Sequence, residues 1–385
     1  MDETIFNVER FDPPERLLCG PGPTNVAPPV LTAMRRPMLG HLDPMLHDLL
    51  LEVVDLLRAT YRASEGLVLP LQATGSSGME TGIVNLLEPG ETAIVGRCGF
   101  FGARIAEQAR RAGATVVEVE GAWGEIVPTY RILQALEQHP DARLVAIVHA
   151  ETSSGVEQPV AQLAEALPMD GPLLMVDCVT SLGGVPVDFD DWGIDYAYSC
   201  TQKCLAAPPG MSPIAVSERA LERIARRTHP VPFSFDLGLL DAYWTKRPAA
   251  YHHTAPILHI YALHEALRLV LEEGLERRWQ RHAQAAAHLR RGIEERGFEL
   301  LADPRHQLAP LTAVRLGDDV DGKAVQSRLL RERGIEIGGG LGPQAPAMWR
   351  IGLMGENATV ETADHLLDSL DWALTERRVA AGAVG

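Results

Sequence analysis

Positive charge is scarce in this chain. Lys and Arg number 35 against 51 Asp and Glu, so the 385 residues carry a formal net charge of −16. That balance argues against a nucleic-acid binder and against docking on anionic membrane, since both need a basic surface. A local basic pocket stays allowed. Long apolar runs are missing too: no stretch approaches the roughly 18 uninterrupted apolar residues of a membrane span. The start, Met1-Asp2-Glu3-Thr4, has neither the basic n-region nor the apolar h-region of a secretory leader. Cysteine is sparse, with five residues at 19, 98, 178, 200 and 204, an odd number without the spacing of a disulfide framework. Cys200-x3-Cys204 lacks a second pair to complete a zinc site, and no metal is expected. Buried or free thiols in a reducing cytoplasm are the expectation. Internal repeats and low-complexity tracts are absent as well.

What is present is ordinary for a globular chain: 46% apolar and 22% charged residues, at a length that suggests two domains. The first 20 residues, with Pro13-Pro14, read as an N-terminal arm. Gly20-Pro21-Gly22-Pro23-Thr24-Asn25 is a rigid turn. Asp43-Pro44 opens a helix, with Asp as N-cap and Pro at the first helical position. From about residue 66, apolar runs at Leu67–Leu71, Thr92–Val95, Thr115–Val119, Leu144–His149, Leu173–Asp177 and Tyr196–Ser199 alternate with helical stretches such as 102–112, 130–138 and 160–167. Pro213–Val216 adds one more strand candidate. Apolar strands separated by helices predict an α/β domain whose mainly parallel sheet lies between helices. After residue 255 the texture changes. A long helical stretch, 260–296, breaks near Gly274. Strands at 312–316 and 349–353, a helix at 322–333 and a final helix at 360–377, capped by Asn357 or Thr359, predict a smaller α+β domain. The expected divisions are 1–20, 21–272 and 273–385, with residues from Val379 onward frayed.

Three motifs carry chemistry. Ala73-Thr74-Gly75-Ser76-Ser77-Gly78-Met79-Glu80 follows a strand and opens a helix. Its small residues let backbone N–H groups approach a phosphate at the helix N-terminus. No Gly-Lys-Ser/Thr follows, so it is not a Walker loop. Leu173–Asp177 delivers a carboxylate at the C-terminal end of a strand, where open α/β sheets bind ligands. Ser199-Cys200-Thr201-Gln202-Lys203-Cys204 sets one lysine among small and apolar residues, and a buried lysine has its pKa lowered and becomes a Schiff-base nucleophile. Taken singly, the first reads as a Gly/Ser turn and the second as a capping Asp, while the small and apolar neighbours of the third count against a plain surface Lys. In this order, with Lys203 lying 26 residues after Asp177 (203 − 177), they are what pyridoxal 5′-phosphate needs: a cradle for the phosphate, a carboxylate for the pyridine nitrogen and an amine for the aldehyde.

With further stretches, the set resembles a known family. These are Gly20–Asn25, Asn85-Leu86-Leu87-Glu88-Pro89-Gly90, His149-Ala150-Glu151-Thr152-Ser153-Ser154-Gly155, Val176–Gly184, Gln202-Lys203, Ala207-Pro208-Pro209-Gly210, Tyr251-His252-His253-Thr254 and Gly338-Gly339-Gly340-Leu341-Gly342. Across about 16–375 the chain is similar to class V (fold-type I) pyridoxal-phosphate aminotransferases, in the alanine–glyoxylate / serine–pyruvate group. The resemblance implies Lys203 as the Schiff-base lysine and catalytic base. It implies Asp177 at the pyridine nitrogen, Gly75, Ser76 and Gln202 at the phosphate, and Phe101 stacked on the ring where many relatives have Trp. Thr152 falls at a position touching the phenolic oxygen. Tyr251 and Thr254 match positions that reach the phosphate of a neighbouring subunit, which implies a homodimer with shared active sites. Arg350 matches the residue gripping the substrate carboxylate. The implied reaction is transfer of an amino group from alanine or serine to glyoxylate in two half-reactions. Ureidoglycine is the alternative donor. A desulfurase or lyase, and a non-enzymatic cofactor-binding homologue, are more distant alternatives. His41, Asp43, His47 and Asp48 resemble a metal cluster, but helix capping by Asp43 explains them more simply. Gly40 and His41 border the site in relatives. His252 and His253 are read as packing residues.

Overall fold

In a computed structural model, residues 9–342 and 345–382 are described. Residues 1–8 of the arm and 383–385 of the expected frayed end lie outside them. The alternating apolar runs form one seven-stranded sheet, in the order Leu67–Leu71, Ser212–Val216, Tyr196–Tyr198, Leu173–Asp177, Leu144–Val148, Thr92–Arg97, Thr115–Glu120. Ser212–Val216 runs antiparallel to both of its neighbours, and the other pairings are parallel. The central strands are buried at every position, Leu144–Val148 and Leu173–Asp177 alike, and are apolar but for the closing Asp177.

Helix Pro44–Tyr61 begins as the sequence predicts. Asp43 Oδ1 accepts from Met45 N at 2.9 Å and Pro44 stands at the first position. Its buried face, including Leu46, Leu50, Val53 and Leu57, packs against helix Ile257–Glu273 in the larger apolar cluster. Gly274 separates that helix from Leu275–Glu295 at φ +84°, a value glycine adopts without strain.

A second, four-stranded antiparallel sheet orders Glu299–Leu300, Leu311–Arg315, Met348–Gly352 and Gly338–Gly339. With helices Leu275–Glu295 and Val360–Gly382 it encloses a separate apolar cluster around Trp349, Leu289 and Leu366. Three local expectations change. The stretch 322–333 is helical in two parts, an α segment Gly322–Arg328 and a π turn Leu329–Arg333, ended by Gly334 at φ +69°. The final helix reaches Gly382, five residues past the expected end. Thr359 rather than Asn357 caps its start, accepting from Thr362 N at 3.1 Å. The arm is tied down at its inner end. Leu17–Leu18 pair in parallel with Ile335–Glu336, and Cys19 is buried in the second cluster. A two-residue ladder has no period to read. No described helix is long and apolar enough to cross a membrane, and the described residues hold no group of three or more His, Cys, Asp or Glu placed to ligate a metal.

Candidate active site

The C-terminal ends of the central strands open on a cavity of about 180 Å³. Into it converge Gly75 and Ser76 at the start of helix Gly75–Leu86, Phe101 and Arg104 from helix Phe100–Arg111, Thr152, and Asp177 at the last position of its strand. Gln202 and Lys203 come from the turn that follows Tyr196–Tyr198. Seven of the ten residues named from sequence therefore share one wall. Two larger surface hollows, near Trp192 and near Tyr261, contain none of them. In the first, Arg219 is already engaged by Asp195.

Thr74 caps helix Gly75–Leu86, its hydroxyl accepting from Ser77 N at 3.2 Å. The first helical amides, Gly75 and Ser76, have no intrahelical acceptor behind them, and the dipole favours an anion there. At the other end, Asp177 is fully buried and held on both oxygens: Tyr198 Oη donates to Oδ2 at 2.7 Å and Val179 N to Oδ1 at 2.8 Å. Burial pushes its carboxyl up to about 6, opposed by Tyr198, Val179, Lys203 and Arg104. A cationic partner in the cavity would draw it back down.

Lys203 is half-buried by accessible area, and desolvation lowers the pKa of its amine. Nζ donates to the Pro21 carbonyl. Gly22, at φ +106°, leaves the lysine its space: a Cβ there would stand 2.5 Å from Nζ. Arg350 stands beside the cavity, on strand Met348–Gly352 of the second sheet. Nε donates to Gly339 O at 2.7 Å and Nη1 to Thr152 O at 3.4 Å. Burial lowers its pKa and Glu151 raises it. Two carbonyls thus steer a guanidinium from one sheet toward the wall built by the other.

Glu151, Tyr198 and Pro21-Gly22 acquire structural roles that sequence reading did not give them. Glu151 Oε1 accepts from Ser153 N and Oγ, and Oε2 from Phe101 N and Gly102 N. It therefore fixes the first turn of helix Phe100–Arg111 and with it the Phe101 ring. Gly99 permits the approach, since a Cβ there would lie 2.3 Å from Glu151 Cδ. Phe101 and Gly102 lie about fifty residues from Glu151, so no local pattern announces that pairing. Tyr251 and Thr254 do not line the cavity. Both are exposed, Tyr251 by 68%, with its ring 5.7 Å from that of His41. His252 stacks on Phe233 at 4.5 Å and His253 tilts against Tyr243 at 4.8 Å.

The wall fits pyridoxal 5′-phosphate in its chemistry. Gln202 Oε1 is buried without a partner in the described chain. The cavity joins an anion-seeking helix start, an aromatic ring, a held carboxylate and a desolvated amine, one for each part of that cofactor.

Residues 26–360 match the family described as Aminotransferase class-V. An alanine–glyoxylate aminotransferase from Oryctolagus cuniculus is 40% identical over 94% of this chain and 93% of its own length. A solved alanine–glyoxylate aminotransferase from Nostoc sp. superposes with a TM-score of 0.94 at 44% identity, covering 97% of this chain and 99% of its own. An (S)-ureidoglycine–glyoxylate transaminase from Bacillus subtilis (strain 168) is 35% identical over 94% of this chain and 91% of its own length.

Proposed function

We propose that this chain, which belongs to the class-V aminotransferase family, moves an amino group from alanine or serine to glyoxylate, yielding glycine and a 2-oxo acid. The observation that carries the reading is the convergence of Lys203, Asp177 and Thr152 in one cavity wall, with Arg350 held against Thr152 O. The higher identities to the two alanine–glyoxylate enzymes support the choice of donor.

Pyridoxal 5′-phosphate, when bound, supplies an electron-withdrawing ring that stabilises negative charge at the substrate α-carbon. The chain's own residues do the rest. Gly75, Ser76 and Gln202 would hold the phosphate, and Phe101 would stack on the ring. Asp177, kept in place by Tyr198 and Val179, holds the proton on the pyridine nitrogen. Thr152 presents its hydroxyl to the phenolic oxygen. Arg350 binds the substrate carboxylate, fixing which α-carbon bond faces Lys203. Lys203 Nζ would take the α-proton and hold it for return on the same face. Its lowered pKa leaves more of the amine neutral at pH 7, as a base requires.

We assign Tyr251 and Thr254 to the neighbouring subunit's phosphate. Their exposure and their distance from the chain's own wall support a homodimer with shared sites. The acidic surface and the buried free thiols support a cytoplasmic setting. A desulfurase reading finds no support: burial pushes the Cys200 and Cys204 thiols up to about 12, whereas that chemistry needs a thiolate.

Half-reaction spectra decide the donor. Alanine or serine is expected to bleach the visible band of the lysine-bound cofactor, and glyoxylate to restore it. Bleaching by ureidoglycine far ahead of both would overturn the assignment.

A further inference from the structure

The cofactor's phosphate is an anion of nearly two charges, yet every residue assigned to it so far is uncharged. The chain places a cation in the same wall. Arg104 follows Phe101 by three residues in helix Phe100–Arg111, so the two side chains share a helix face, and both line the cavity. Arg104 Nη1 donates to Ser76 Oγ at 3.1 Å, at the head of the phosphate loop. Its guanidinium lies over the Phe100 and Phe101 rings, 5.0 and 5.1 Å from their centroids. One turn on, Gln108 Nε2 donates to Ser76 O at 3.2 Å, so this helix grips the loop at two atoms.

Arg104 is half-buried and forms no ion pair among the described residues. The nearby carboxylates are engaged elsewhere: Asp177 by Tyr198 and Val179, and Glu151 by Ser153, Phe101 and Gly102. A guanidinium with five donors, aligned by two rings and a serine and making no hydrogen-bonded ion pair among the described residues, suits an anion bound at Ser76.

We propose that Arg104 is the cationic ligand of the cofactor's phosphate. One helix then sets both the aromatic lid, through Phe101, and the charge that retains the cofactor, through Arg104. This rests on the reading that the cavity takes pyridoxal 5′-phosphate.

The test compares that cofactor with pyridoxal, which has the same ring and aldehyde and no phosphate. The full-length chain, freed of cofactor, is titrated with each, following the absorbance of the lysine-bound form. The ratio of the two dissociation constants is the phosphate preference. R104Q is expected to lower that preference by about 10- to 100-fold, the range of a charge-assisted hydrogen bond, with pyridoxal binding unchanged. R104K keeps the charge without the planar fork and is expected to stay within about tenfold of wild type. An unchanged preference in R104Q, or equal weakening of both ligands, overturns the proposal, because a helix prop would affect both alike. Should R104Q fail to fold, R104M, which keeps the chain length against the two rings without the charge, decides by the same outcomes: a fall in phosphate preference with pyridoxal binding unchanged supports the proposal, and an unchanged preference or equal weakening of both ligands overturns it. A wild-type chain that binds neither ligand through Lys203 would instead sink the cofactor reading itself.

Discussion

The cavity wall and the 251–254 segment were both picked out by the same resemblance, and the structure treats them in opposite ways. Lys203, Asp177 and Thr152 are drawn together by parallel strands whose ends the chain itself encloses. Tyr251 and Thr254 stay exposed, on a segment between helices Leu237–Trp244 and Ile257–Glu273. A strand end is positioned by ladder hydrogen bonds and packing on both faces, so its side chains arrive wherever the sheet puts them. The loop has no such frame, and Tyr251 and Thr254 stay in solvent within the single chain. The contrast separates what one chain encloses by itself from what it leaves in solvent.

Four measurements can break or sharpen that contrast. Lys203→Ala is expected to cut turnover by more than about 10³-fold and remove the lysine-linked absorbance, since base and attachment point go together; retained turnover breaks the assignment. Arg350→Gln is expected to lower kcat/KM by about 10²-fold through the loss of a charge-assisted carboxylate grip. An unchanged KM for alanine would remove Arg350 from the substrate.

Asp177→Asn probes the enclosed wall through stability. In the cofactor-free chain, burial raises the Asp177 pKa from 3.8 to about 6. The folded state therefore binds this proton more tightly than the unfolded one. The cost of the ionised form is present above pH 6 and fades as pH falls from 6 toward 4. Asn is expected to stabilise that form by roughly 1–3 kcal/mol at pH 8, with the gain shrinking on acidification. Urea midpoints across pH check this, and a gain that does not vary with pH would contradict it. The smallest effect belongs to the exposed loop. Tyr251→Phe is expected to weaken cofactor retention by about 3- to 10-fold, the value of one hydrogen bond, and dilution that separates subunits should erase the difference between variant and wild type. A difference surviving in the monomer would place Tyr251 in its own chain's site.

The strands were legible in the sequence because burial on both faces writes them as unbroken apolar runs; Leu67–Leu71 and Leu173–Asp177 begin and end where the runs do. The placement of the Gly75-Ser76 helix start, Asp177 and Lys203 in one wall was legible because each sits at a junction that a local pattern marks. Helix Leu237–Trp244 and the ladder of Leu17–Leu18 on Ile335–Glu336 were not: the first buries Leu237, Leu240, Tyr243 and Trp244 in a pattern shorter than a clear helical window, and the second is two residues long. The four-donor cage around Glu151 was hidden for a different reason. Its value lies in who donates, and the donors Phe101 and Gly102 come from another βα junction.

By itself the sequence determined the kinds of chemistry available and their order along the chain: small residues at a helix start, a carboxylate at a strand end, a lysine in apolar surroundings. Spacing and polarity are local quantities, and one dimension is enough to hold them. The tertiary structure decided which of these groups meet. It brought Arg350 from the second sheet to the carbonyl of Thr152, set Arg104 against Ser76, and left Tyr251 outside. Those outcomes depend on contacts between residues tens to hundreds of positions apart, which follow from how two sheets and their helices pack and from no single stretch of chain.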